Sequence, residues 1–249
     1  MLVAYRFYKE SRQGHGFARK YGWDILTAKT ATDEEIPLFK NMLQQAMQKK
    51  YSEFYCYANS DILFTPLLID TLLRVSLFRQ KKKVPVLIVG RRTEISVVGM
   101  KDSDNFTIVL KNGIDKGFIH TDYAVDYFIV SRDFPMKDIA PVVVGRIAYD
   151  NYIIMHARAH RVPVIDATYS NPSVHQTSTA GNYEGHLHRN KLYNKDLLEK
   201  ESEISSTMYE GGRISCTNYM TKYDPLTQDV TLDKKLSKPS KCKNMFESW

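Results

Sequence analysis

Tyr55-Cys56-Tyr57-Ala58-Asn59-Ser60-Asp61-Ile62-Leu63-Phe64-Thr65-Pro66 is the stretch on which the fold turns. Its first residues are aromatic and apolar, the composition of a buried strand. The polar triplet Asn59-Ser60-Asp61 interrupts it. Thr65 then offers a capping hydroxyl, and the fixed φ of Pro66 suits a first helical turn. A strand, a polar switch and a helix in immediate succession predict an α/β sheet whose strand ends carry the site.

Outward from there the chain alternates. Before the opening strand, Leu38, Phe39, Met42, Leu43 and Ala46 recur at helical spacing. After Pro66, the residues Leu67, Leu68, Leu72, Val75 and Phe78 predict a second amphipathic helix, ending in Arg79, Lys81, Lys82 and Lys83 where cations favour the helix dipole. Residues 84–89 read as a strand running into Gly90-Arg91-Arg92-Thr93-Glu94. Phe106-Thr107-Ile108-Val109-Leu110 reads as a strand closed by a turn at Lys111-Asn112-Gly113, and residues 127–131 as another. A helix is predicted over 142–160, a strand over 162–168 and a further helix around Leu192, Leu197 and Leu198, with a turn at Gly211-Gly212. The expected fold is a single α/β domain over residues 1–233 with a mostly parallel central sheet flanked by helices. A flexible basic tail over 234–249 follows it.

Composition narrows the function. No apolar run approaches the roughly 20 residues that span a bilayer, so no membrane segment is expected and the chain reads as soluble. Its formal charge of +7 favours anionic partners, yet no zinc finger, RNA-binding signature or long basic helix supports a nucleic-acid partner. Cys56, Cys216 and Cys242 lack paired metal spacing, and a structural disulfide is the less favoured reading. Gln13-Gly14-His15-Gly16 reads as a plain loop, and Asp102 with Asp104 as a solvated turn. His156 and His160 share a helix face, but the intervening Ala157-Arg158-Ala159 holds no general base, so both are read as surface residues at a helix end.

At the predicted strand ends stand Asn59, Asp61, Arg91, Arg92, Asp126, Asp166 and His175, with Asp150 on the helix between. Carboxylates, an imidazole and guanidinium groups in one crevice are the chemistry that a divalent metal bound to a diphosphate requires. Singly, each has a structural explanation: Asp61 or Asp166 can cap the backbone beyond it, and His175 can be a hydrogen-bonded core histidine.

The order Tyr-Ala-Asn-Ser-Asp-Ile-Leu, Val-Gly-Arg-Arg, Asp-Tyr-Phe-Ile-Val-Ser-Arg, Val-Gly-Arg-Ile-Ala-Tyr-Asp-Asn, Val-Ile-Asp-Ala-Thr and Val-His-Gln resembles glycosyltransferase-like proteins of the GT-A, nucleotide-diphospho-sugar transferase fold. The resemblance covers most of residues 55–190. It implies a Rossmann-like GT-A domain and transfer of a sugar from a nucleotide-sugar donor to a glycan, protein or small-molecule acceptor. Mn²⁺ or Mg²⁺ would be held by Asp61 and His175. By the same resemblance Asp150 is the catalytic acidic residue, Arg91 and Arg92 hold donor phosphates, and Asn59 and Asp126 lie at the donor. Asn59 stands where the family's metal motif has its first carboxylate, and the opening strand before Trp23 is short or missing. The compartment is then cytoplasmic by default, or a secretory lumen if the amino terminus is abbreviated. Two alternatives stay open: a catalytically inactive relative that binds a nucleotide, glycan or partner, and an unrelated phosphate-binding hydrolase using Asp102 with Asp104 or His156 with His160.

Overall fold

The computed structural model describes residues 5–8, 20, 22–96, 101, 105–177, 187–201 and 208–242. Strands β1 (Tyr5–Tyr8) and β2 (Asp24–Thr27) pair in parallel as a small separate sheet, and β3 (Thr30–Ala31) pairs with β4 (Ile36–Pro37) as another. Helix α1 (Phe39–Lys49) follows and buries Phe39, Met42, Leu43 and Ala46, the face that the apolar spacing predicts. Strands β5 (Phe54–Ala58) and β6 (Ile62–Leu63) flank the polar triplet, and α2 (Leu67–Lys82) starts directly after Pro66.

Next come β7 (Leu87–Val89), β8 (Arg92–Ile95), α3 (Phe106–Lys116), β9 (Phe118–Ile119), β10 (Tyr127–Ser131), α4 (Tyr149–Ala159), β11 (Val164–Tyr169) and β12 (Ser173–Gln176). The chain continues through α5 (Tyr193–Glu201), α6 (Met208–Gly211), β13 (Tyr219–Asp224) and β14 (Asp229–Lys234).

The central sheet has the order β14-β13-β11-β7-β10-β5. Alternation along its strands divides the core. Leu87, Val89, Phe128, Val130 and Val164 face α1 and α4, while Ile88, Tyr127, Ile129, Ile165 and Ala167 face α2. On the first side the ring of Phe39 sits edge-on to Phe128, 5.4 Å between centroids, which locks α1 to the sheet.

Several expectations are corrected. The sheet is mixed: only β7–β11 and β11–β13 are parallel, whereas β5–β10, β10–β7 and β13–β14 are antiparallel. A parallel pair needs a crossover back over the same sheet. The chain leaving β7 instead enters a second sheet, ordered β6-β12-β8-β9, and α3 packs on that. Residues 106–110, expected as a strand, open helix α3, because the Asn105 side chain accepts from the N–H groups of Thr107 and Ile108 and caps the first turn. Val109 is then buried with Val174 and Ile95, an apolar contact that overrides local strand propensity. Gly113, expected in a turn, lies inside α3, where a Cβ would stand 3.1 Å from Val174.

The carboxyl-terminal segment is anchored through Cys242 rather than loose from residue 234. A disulfide joins Cys216 to Cys242, and Lys235 Nζ lies 2.9 Å from Asp166 Oδ2. Among the described residues no helix is long and apolar enough to cross a membrane.

Candidate functional site

The second sheet builds the site by strand alternation. Thr93, Ile95 and Val174 face α3, so Arg92, Glu94 and His175 point the other way, toward the end of β5 and the start of β10. Strand β6 pairs antiparallel with β12, with Ile62 opposite His175. Asp61, one residue earlier, therefore meets the imidazole, with Nε2 3.3 Å from Oδ2. The ring is buried and the carboxylate half exposed. The hydrogen bond with His175 holds the Asp61 carboxyl below its ordinary pKa, outweighing burial, and the charges of His175 and Arg92 add to it. The other ring nitrogen, Nδ1, is buried with no hydrogen-bond partner.

Behind this pair lies a closed network. The Tyr57 hydroxyl donates to Asn59 Oδ1 at 2.9 Å, and Asn59 Nδ2 donates to Asp126 Oδ1 at 2.9 Å. Arg92 Nη1 donates to Asp126 Oδ2 at 2.8 Å while its Nε donates to Glu94 Oε1 at 2.8 Å. His120 Nδ1 is 2.8 Å from that same Glu94 oxygen. Burial works against the Arg92 charge, but Asp126 and Glu94 outweigh it and raise its pKa. Burial first, then the Arg92 charge, lowers that of His120.

Asp150 approaches from the start of α4. Ala148, just before the helix, holds a left-handed conformation at φ 83°, a strain of about 1 kcal/mol for a residue with a Cβ. Asp150 Oδ1 accepts from the Asn151 N–H at 3.0 Å, and Oδ2 from the Val125 N–H at 3.4 Å, next to Asp126. Burial raises the Asp150 carboxyl to about 6, with the Asp126 charge contributing. The Asn151 amide secures this corner by donating to the carbonyls of Tyr123 and Gly212, each at 3.2 Å.

The two arginines expected to act together diverge. Arg92 is buried and committed to Asp126 and Glu94. Arg91 donates its Nε to the His120 carbonyl at 2.6 Å and lines a separate cleft of about 500 Å³ with Asp122, Tyr169, Arg213 and Lys235. Asp166 also faces that cleft, paired with Lys235.

Of the residues singled out in the sequence, Asn59, Asp61, Arg92, Asp126 and His175 are thus brought together, and Asp150 adjoins through Asp126. Glu94, His120 and Tyr57 complete the network without having been expected. His156 is a correction: it is buried, its Nε2 lies 3.1 Å from the Pro135 carbonyl, and burial lowers its pKa to about 4, so it is a core histidine. Gln13 to Gly16, Asp102 and Asp104 lie outside the described residues.

Among the described residues no group of three or more His, Cys, Asp or Glu side chains is disposed to hold a metal. Asp61 and His175 offer two donors. Cis donors on an octahedral ion at about 2.1 Å stand about 3 Å apart, close to the observed 3.3 Å. A hard oxygen with an imidazole suits Mn²⁺, and an ion carried on substrate phosphates needs only one or two protein ligands. No protein-family model, curated protein or solved structure matches the chain.

Proposed function

We propose that the chain is a GT-A-like glycosyltransferase that binds a nucleotide-diphosphate sugar at the Asp61–His175 corner with Mn²⁺ or Mg²⁺. The observation that carries this reading is the meeting of Asp61 and His175 at 3.3 Å, from positions 114 residues apart. Asp61 and His175 would hold the ion, which supplies charge neutralisation for the leaving diphosphate. Asp150, ionised above pH 6, is suited to accept the proton of an attacking hydroxyl. Arg91 lines the separate cleft with Asp122, Arg213 and Lys235, so the donor phosphates are left to the ion. Arg92 and Asn59 act indirectly, by fixing Asp126 against the site.

The test is a thermal-stability panel of nucleotide sugars with and without Mn²⁺. Stabilisation by one donor that requires the metal, and that disappears in Asp61→Ala and His175→Ala, supports the proposal. Stabilisation by no donor at concentrations far above ordinary affinities would sink it.

A second reading, an inactive relative that binds a nucleotide, glycan or partner, is favoured by two observations. Arg92 and Asn59 are consumed internally, and among the described residues no strand before β5 joins the central sheet. Donor binding without donor hydrolysis or transfer distinguishes it.

A further inference from the structure

At the opposite end of the central sheet, where β11 and β13 begin, lies a second cleft of about 420 Å³. It is lined by Arg158, Arg161, Val162, Pro163, Asn218, Tyr219, Lys234 and Lys238, four cations and no carboxylate. The cations come from three places: the end of α4 and the residue turn after it, the last position of β14, and the segment leading to Cys242. The dipole of the helix carboxyl end attracts Arg158, whose guanidinium also donates to the Gly211 carbonyl and, at 2.7 Å, to the Cys242 carbonyl. It does not account for Lys234 and Lys238, which belong to other parts of the chain.

Arg161 sits at φ 56°, in the left-handed position that usually takes glycine or asparagine after a helix. Among the described residues Arg161, Lys234 and Lys238 form no ion pair, whereas the cleft at Arg91 pairs Arg213 with Asp122 and Lys235 with Asp166. Burial lowers the pKa of Lys238, and the charges of Arg158, Lys235 and Lys234 lower it further. Like charges gathered around a concavity repel one another, and a bound anion relieves that repulsion.

We infer that this cleft is a second ligand site, distinct from the Asp61–His175 corner, for a molecule carrying two adjacent phosphate or sulfate groups. Arg161, Lys234 and Lys238, without ion pairs among the described residues, set the charge that must be met. The cleft is within the size range of small-molecule sites and exceeds what one oxyanion fills. The Asn218 amide and the Tyr219 ring offer polar and flat apolar contacts for the group that joins the two anions.

Titration calorimetry of the full chain with pyrophosphate, and separately with sulfate, tests the site. Pyrophosphate should bind, and more weakly as salt rises from about 50 to about 200 mM. The double variant Lys234→Ala with Lys238→Ala should lose at least about tenfold in affinity, measured without divalent metal. Lys234 is exposed and Lys238 forms no ion pair among the described residues, so folding should survive, checked by an unchanged melting temperature without ligand. Undiminished affinity in the double variant or no binding at about 10 mM overturns the inference. Sulfate binding as tightly as pyrophosphate overturns the assignment of two anionic groups.

Discussion

Replacing Asp150 by Asn should stabilise the protein at neutral pH and reverse that effect in acid. Asp150 carries a carboxyl raised from 3.8 to about 6 by burial. An acid whose folded pKa is raised costs nothing where both states are protonated. The cost grows as pH climbs from 3.8 through about 6, because the unfolded chain releases the proton first. At 1.36 kcal/mol per pKa unit, the full cost above pH 7 is about 3 kcal/mol. Against that, the carboxylate accepts two backbone N–H groups, from Asn151 and Val125, on separate oxygens. Asn has one oxygen, so the variant loses one acceptor, worth about 1 kcal/mol.

The net expectation is a gain of about 2 kcal/mol at pH 8, or about 4–8 °C in melting temperature for a chain of this size. Near pH 4, where about 0.6 kcal/mol of the parent's cost is already present, the gain should become a loss of about 0.4 kcal/mol. Urea unfolding of both proteins between pH 4 and pH 8 measures the difference directly. A difference that keeps one sign and size across that range refutes the reasoning. If Asp150 is also the base, transfer should rise with pH through about 6 in the parent protein and collapse in the variant. Stability gained and activity lost at one residue is the signature of a site held against its own packing.

Arg92→Met should cost about 3–5 kcal/mol, since it leaves the buried Asp126 and Glu94 without their cation; a loss under about 1 kcal/mol in urea unfolding would mean that the network is solvated. Cys216→Ser should cost about 3.5 kcal/mol from the loop closed over a separation of 26 residues, and native alkylation of the oxidised parent should label Cys56 alone. Asn59→Asp should destabilise by about 1–3 kcal/mol at pH 8 and less at pH 5, where one proton can be shared with Asp126. Tighter Mn²⁺ binding by that variant without loss of stability would contradict the role given to the amide.

The sequence was most legible where one physical demand dominated. Helix α1 follows from the spacing of Phe39, Met42, Leu43 and Ala46, and α2 starts directly after Pro66 as its fixed φ favours, but the Thr65 hydroxyl expected to cap it is buried and caps nothing among the described residues. Helix α3 runs against its local pattern: Thr107, Ile108 and Val109 favour strands singly, while the Asn105 cap and the contact with Val174 decide jointly. Strand direction was not legible, since it depends on where each connection returns. The disulfide was not either: Cα atoms 5.3 Å apart at Cys216 and Cys242 are a tertiary fact. In the site, Glu94 was within reach of the reading, because it alternates with Arg92 along β8. His120 carried no pattern; its place is set by the β8–β9 pairing, through the His120 N–H bonded to the Arg92 carbonyl at 2.9 Å.

The amide at position 59 looked like the weak point of the polar triplet, a neutral group where a metal motif calls for charge. Its surroundings give it a different task. Asn59 accepts from the Tyr57 hydroxyl on one atom and donates to Asp126 on another. A carboxylate there could accept from Tyr57 but would face Asp126 as a second negative charge. Asp126 is already bound by the single cation of Arg92, which it shares with Glu94. Three carboxylates around one guanidinium would be under-neutralised in a buried setting, and one would have to take up a proton or turn to solvent. Asn59 therefore closes the network and leaves Asp61, half exposed and held ionised by His175, as the carboxylate of the triplet that is open to an ion. Under the proposed function, Asp61 and His175 alone would then carry the metal. For that reason metal binding in this chain should depend strongly on the phosphates that arrive with the donor.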